Sequence, residues 1–161
     1  MKQKKILFVC NNLNHGGIPR ALVNLLQEIA GSCEIDLLLF YPSGSYLTQV
    51  PESVRILHGE GLLPLLGIPQ ADLQRTSKPQ ALLRAIFVAM SRLLGNSLAR
   101  RIVYASVPEL SGYDAAVSFV QDNSDHAFAV GCNDYVLRKV KAARKIAFVH
   151  CDFEHYGGNT P

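Results

Sequence analysis

The sequence predicts an α/β fold: a Rossmann-like parallel sheet with helices on both faces. Three observations carry that expectation. Short strand-like apolar runs alternate with helix-period segments along the 161 residues, the pattern of βαβ units. The first run, Ile6-Leu7-Phe8-Val9-Cys10, is apolar on both sides of its pleat, as a central strand buried between two helix layers must be. It then breaks into the polar turn Asn11–His15 and the pair Gly16-Gly17, followed by a leucine-rich helical pattern. Strand, glycine loop and helix in that order offer a helix N-terminus whose free N–H groups suit an anion, and glycines let a ligand come close to the backbone.

The elements follow in order. Ile6–Cys10 reads as the first strand and Ile18–Ala30 as the first helix, with Pro19 tolerated in its first turn and Gly31-Ser32 stopping it. Cys33–Tyr41 is the second strand, Pro42-Ser43-Gly44 a turn, and Val54–Leu57 a short third strand. Gly59–Pro79 is punctuated by Gly61, Pro64, Gly67, Pro69 and Pro79 and reads as loop. Gln80–Leu94 is a long helix, its apolar positions Leu82, Leu83, Ile86, Phe87, Met90, Leu93 and Leu94 following the 3.6-residue period. Asn96–Ala105 forms a further helix after Gly95. Tyr113–Phe119 is a strand, Ser124–Gly131 and Asp134–Lys141 short helices, and Lys145–His150 the last strand.

Composition bounds the class. A chain of 161 residues makes one domain with its own core, and 48% hydrophobic against 18% charged residues is globular. A net charge of +3 is too mild to argue for nucleic acid. Cys10, Cys33, Cys132 and Cys151 contain no C-x-x-C pair, and free thiols in a reducing cytoplasm are the expectation. The five-residue apolar run near the N-terminus is too short for a signal-peptide core.

In a parallel sheet, ligands bind beyond the carboxyl ends of the strands. Three polar clusters fall there: Asn11–Gly17, Gln121-Asp122-Asn123 and His150–His155. The glycine spacing is not the G-x-G-x-x-G fingerprint, and Leu39-Phe40-Tyr41 stands where a nicotinamide enzyme carries its ribose-binding carboxylate, which argues against a dehydrogenase. His150, Cys151, Asp152 and His155 match no zinc spacing, so no metal is expected. No P-loop, no G-x-S-x-G elbow and no D-x-D occurs. Between positions 72 and 101, Arg75, Lys78, Arg84, Arg92, Arg100 and Arg101 face the single acid Asp72 around an apolar stripe. Two readings stand: a helix covering the sheet with its basic face in water, or weak contact with an anionic membrane surface.

KKILFV, a glycine pair, Arg20 three residues later, SGSYLTQVPESVRIL, YDAAVSF and KIAFVHCDF, taken in order, resemble the N-terminal domain of glycosyltransferase family 4. The resemblance covers nearly the whole chain through motifs that are individually unspecific. It implies the acceptor-side half of a GT-B enzyme, whose second Rossmann-like domain holds a nucleotide-sugar donor through an E-x7-E pair. Neither that domain nor that pair is in this sequence, and Ile18-Pro19 stands where many members have Ala-Glu. The resemblance implies a retaining, metal-independent transfer to a glycan or lipid-linked acceptor in bacterial surface polysaccharide or glycolipid assembly, on the cytoplasmic side and peripheral to the membrane. It implies His150 and Asp152 as catalytic, and Asn12, Gly16, Gly17, Arg20 and Asp122 as substrate-binding residues. One rival is a non-catalytic subunit that binds acceptor or membrane and recruits a donor-binding partner. A second is a small nucleotide-binding or flavodoxin-like module.

Overall fold

The computed structural model describes residues 3–69, 72–73, 77–122 and 126–150. Five parallel strands, β1 (Lys5–Cys10), β2 (Glu34–Leu39), β3 (Arg55–His58), β4 (Leu110–Ser118) and β5 (Val140–Ala147), form one sheet in the order β3-β2-β1-β4-β5. Five α-helices accompany them: α1 (Gly17–Ile29), α2 (Pro64–Gly67), α3 (Lys78–Leu94), α4 (Asn96–Ala105) and α5 (Cys132–Lys139). The chain builds outward from β1 to β3 and then returns to the other side of β1 for β4. The order therefore reverses between β1 and β4, and in open α/β sheets ligands bind beyond the carboxyl ends of the strands at such a switch point.

Side-chain alternation assigns the two faces. Phe8 and Cys10 of β1, with Ile35, Leu37 and Leu39 of β2, pack under Leu22, Val23 and Leu26 of α1. Leu7 and Val9, with Leu38 and Phe40, pack under α2, α4 and α5 through Leu66, Ala99, Val103, Tyr135 and Val136, with Phe87 of α3 at the margin. Each central strand thus buries both sides, which is why β1 and β2 are apolar runs rather than alternating ones. The register places Val9 between Leu38 on β2 and Ser118 on β4.

Four expectations are corrected. The last strand begins at Val140, directly after α5, not at Lys145, and ends at Ala147, so His150 lies beyond it. The stretch Lys141-Ala-Ala-Arg-Lys favours helix by propensity, but pairing with β4 from Leu110↔Val140 onward overrides it. This strand is also the sheet's edge, mostly exposed, rather than a buried strand. Residues 126–131 form no helix. Val130 (φ 74°) and Gly131 (φ 78°) both take positive φ, a strained backbone for a β-branched residue, held by bonds from Val130 N–H to Leu66 O and from Gly131 N–H to Asp122 Oδ1. Gly59–Pro79 is not all loop. Its leucines Leu63, Leu65 and Leu66 are buried, and α2 forms where Gly67 meets the ends of β1 and β2. A Cβ at Gly67 would stand 2.6 Å from Asn11 O, so only glycine fits this contact.

Cys10 and Cys132 are buried and free, and Cys33 is free but only half-buried. Burial pushes the Cys10 thiol up to about 12, which makes it unreactive near neutrality. Cys151 lies outside the described residues. No helix among the described residues is long and apolar enough to cross a membrane.

Candidate functional site

The loop Asn11–Gly17 leaves the carboxyl end of β1. That loop is held from below. Leu13 is fully buried, its N–H donates to Ser43 O (2.8 Å), and its carbonyl accepts from Tyr46 N–H (3.2 Å). Gly44 makes this possible: at φ 124° it approaches so closely that a Cβ would sit 2.0 Å from Leu13 C. Asn12 is turned inward. Its Nδ2 donates to Gly67 O (2.9 Å) and its Oδ1 accepts from Asn14 N–H (3.2 Å), so its side chain braces the loop against α2.

The glycine pair divides its work. Gly16 is the N-cap of α1 and takes φ 153°, ψ 165°, a conformation essentially restricted to glycine. Gly17 has no positive φ, and a Cβ added there would meet nothing within 4 Å. The fold therefore needs glycine at 16 and leaves open space above 17. No side chain caps α1 and no acid stands in its first turn, so the N–H groups of Gly17 and Ile18 have no intrahelical partner at the positive end of the dipole, while Pro19 has no N–H to contribute. Arg20, one turn on, is exposed and pairs with nothing among the described residues. Gly16→Ala is expected to cost about 1–2 kcal/mol of stability, the scale of a non-glycine residue held in such a region. Gly17→Ala and Gly17→Val are expected to leave the thermal midpoint within a few degrees of wild type, and thermal unfolding of the three variants checks the division.

Beyond the carboxyl ends of β4 and β5, two of the polar clusters meet. The backbone N–H of His150 donates to Gln121 Oε1 (2.9 Å), and the ring Nε2 lies 2.8 Å from Phe119 O. A carbonyl only accepts, so Nε2 carries the hydrogen; the Nε2–H tautomer leaves Nδ1 as an acceptor. The ring lies against Phe119 (centroids 4.8 Å) and Phe148 (6.0 Å), which fixes its plane. Phe119 N–H in turn donates to Val9 O, so this unit is tied to the end of β1. His150 is therefore an oriented imidazole at the exit of β5, with Nε2 held by Phe119 O and no hydrogen bond to Nδ1 from the described residues. No hydrogen bond among the described residues joins it to Gly16, Gly17 or Arg20.

Asp122 lies just beyond β4, as its sequence context suggests, and is engaged by two partners. Its Oδ2 accepts from Arg100 (3.0 Å) and its Oδ1 from Gly131 N–H (2.8 Å). Arg100 is buried and also donates to the carbonyls of Ala127 and Ala129 (3.2 and 3.3 Å). Burial holds the Asp122 carboxyl above its usual range in spite of the arginine. The pair braces the loop between β4 and α5 rather than standing free. Arg100 is the residue the sequence missed here: it reads as part of a basic surface, and only its burial reveals the structural role. Asp152 and Asn123 lie outside the described residues, as do Cys151 and His155. Among the described residues no group of His, Cys, Asp and Glu is arranged to hold a metal ion.

No protein-family model matches this chain, and no curated protein matches it.

Proposed function

We propose that this chain is the acceptor-binding domain of a retaining GT-B-type glycosyltransferase, resembling family 4, which transfers a sugar from a nucleotide-sugar donor to a glycan or lipid-linked acceptor. The observation that carries the reading is the pair of elements that follow the carboxyl ends of β1 and β5. One is a glycine-led, uncapped helix N-terminus; the other is an imidazole fixed by Phe119 O with Nδ1 left to accept. A sugar hydroxyl donates to such an acceptor, and backbone N–H groups with open space above Gly17 accommodate an anionic or polar substituent. On this reading His150 holds a reacting sugar in place, Gly17 and Arg20 lie along the substrate, and Asn12 and Asp122 support the adjoining loops. Transfer itself requires a donor-holding unit on the far side of the cleft, since groups on both sides of the reacting centre must be brought together.

In the active two-domain form, His150→Ala is expected to lower kcat roughly 10²-fold, the scale of one lost positioning or proton-accepting group. His150→Asn, which keeps one acceptor, should lose less. Steady-state transfer with a panel of nucleotide sugars and lipid- or glycan-linked acceptors measures both. Full kcat in His150→Ala removes the site. Tight binding of a flavin or a free nucleotide by this chain alone would favour the flavodoxin-like reading instead.

A further inference from the structure

A cavity of about 150 Å³ opens beside the edge strand β3, on the sheet face that carries α4 and α5. Leu38 and Leu57, opposite one another across the β2–β3 pair, form one side of it, and Leu63 and Val107 help to close it. This is the volume at which an apolar cavity in a protein takes up benzene. None of its lining residues belongs to the loop Asn11–Gly17, to His150 or to the residues that hold His150.

The cavity is preformed. The turn after β3 and the segment that joins α4 to β4 are clasped together. Leu62 N–H donates to Ser106 Oγ (2.9 Å), which itself donates to Val103 O (2.6 Å). Gly61, at φ 55°, comes so close that a Cβ would stand 2.7 Å from Ser106 O.

Three polar side chains line the space: His58, Glu60 and Tyr135. His58 and Glu60 are exposed and mark its mouth. Tyr135 is only 2% exposed, and its ring is set by edge-on contacts with Phe40 (centroids 5.3 Å) and Tyr104 (5.6 Å). Yet its hydroxyl makes no hydrogen bond with any described residue, where buried tyrosine hydroxyls ordinarily find a partner. Burial first, and then the negative charge of Glu60, push this hydroxyl up to about 12, so it stays protonated near neutrality. Glu60 in turn has no ion pair among the described residues.

We propose that this cavity binds a small primary amine with an apolar body of benzene size, the body against Leu38, Leu57, Leu63 and Val107 and the ammonium against Glu60, Tyr135 and His58. An ammonium brings three N–H donors, and the Glu60 carboxylate, the Tyr135 hydroxyl oxygen and a neutral His58 ring nitrogen all accept. An anionic ligand would be repelled by Glu60, and a neutral alcohol would gain nothing from its charge.

The test is an amide NMR titration with benzylamine, benzyl alcohol and benzoate. Benzylamine should bind with a dissociation constant of about 1 mM, the scale for a ligand of this size, and shift the amides of Glu60, Leu63, Val107 and Tyr135. Benzyl alcohol should bind roughly 5-fold more weakly, and benzoate more weakly still. Glu60→Gln, at an exposed position, should weaken benzylamine about 5-fold and leave benzyl alcohol unchanged. Val107→Phe should fill the cavity and abolish binding of both, with a thermal midpoint at or above that of wild type. If Val107→Phe does not fold, the Glu60→Gln comparison decides alone. No shift at these four amides, benzoate binding as tightly as benzylamine, or equal benzylamine affinity in wild type and Glu60→Gln would overturn the proposal. So would a preference for benzyl alcohol, which would assign the cavity to a neutral ligand.

Discussion

Asp36→Ala is expected to lower the unfolding free energy by about 3 kcal/mol, enough to drop the thermal midpoint by roughly 6–12 °C in a domain of this size. Asp36 is completely buried at the amino-terminal end of β2, opposite the candidate site. Its carboxylate accepts Arg55 Nε (2.8 Å) and Nη2 (2.6 Å) from β3 and Tyr113 Oη (2.7 Å) from β4, with Lys5 Nζ of β1 at 3.8 Å. One side chain thus ties four strands at the base of the sheet, on the face that carries α4. Loss of the carboxylate leaves the buried Tyr113 hydroxyl without its acceptor, a cost of about 1–3 kcal/mol. The remainder comes from the arginine contact, discounted because the Arg55 side chain is 61% exposed and re-solvates. Tyr113→Phe should cost less than Asp36→Ala, and the double variant little more than Asp36→Ala alone, because both remove the same bond. Denaturant unfolding measures all three.

The pH dependence follows in sign. Desolvation by itself raises the Asp36 carboxyl, but the hydrogen bonds from Arg55 and Tyr113 and the charges of Arg55 and Lys5 outweigh it, so the group is held below 3.8. A depressed carboxyl contributes stability that is present above the unfolded value and lost as pH falls through the folded one. The wild type should therefore lose this contribution only below about pH 4, and the stability gap to Asp36→Ala should narrow there.

Arg100→Ala is expected to be the most damaging single change at the candidate site, at about 3–5 kcal/mol, the cost of breaking a buried pair by removing one member. The side chain is 4% exposed, and its loss strands the Asp122 carboxylate and the carbonyls of Ala127 and Ala129 together. The affected segment includes the positive-φ pair Val130-Gly131, whose geometry depends on Asp122 and Leu66. Asp122 sits above its usual range from burial, with Arg100 the main opposing influence. Removing the arginine pushes it further up, so the deficit should shrink as pH falls and the stranded acid takes a proton. The gap to wild type narrows with falling pH in both cases, for Asp36→Ala because the wild type loses a depressed carboxylate and for Arg100→Ala because the variant protonates a raised one. Pairing Arg100→Met with Asp122→Asn removes both charges, while Asn keeps the acceptor for Gly131 N–H. The double variant should recover much of the loss. Urea unfolding of the two single variants and the double variant gives the coupling energy; additive losses would show that the two side chains act separately.

Much of the fold was legible because parallel α/β architecture is written locally. Two-sided apolar runs marked β1 and β2, and the helical period marked α1, α3 and α4, the last to its observed limits of Asn96 and Ala105. The glycine loop is legible as the segment after β1, whereas His150, read as the end of the last strand, lies beyond it because β5 ends at Ala147. Less legible was what depends on neighbours distant in sequence. Lys141–Arg144 favours helix by itself and becomes strand only because β4 offers an unpaired edge.

What the sequence determined by itself was the class of fold, the order of its elements and the rim on which polar residues gather, since periodicity and turn chemistry act within a few residues. Tertiary structure alone decided the roles of individual polar side chains. Asp36 and Tyr113 are 77 positions apart, and Arg100 and Asp122 are 22 apart. Whether a charge is a ligand contact or a buried brace depends on which side chains enclose it. The same holds for the glycine pair and for α3. Only backbone geometry separates Gly16, which the turn requires, from Gly17, above which the fold leaves space. Only packing shows that Phe87 and Ser91 mark the face of α3 turned to the core, while Leu82, Ile86 and Leu93 stay exposed.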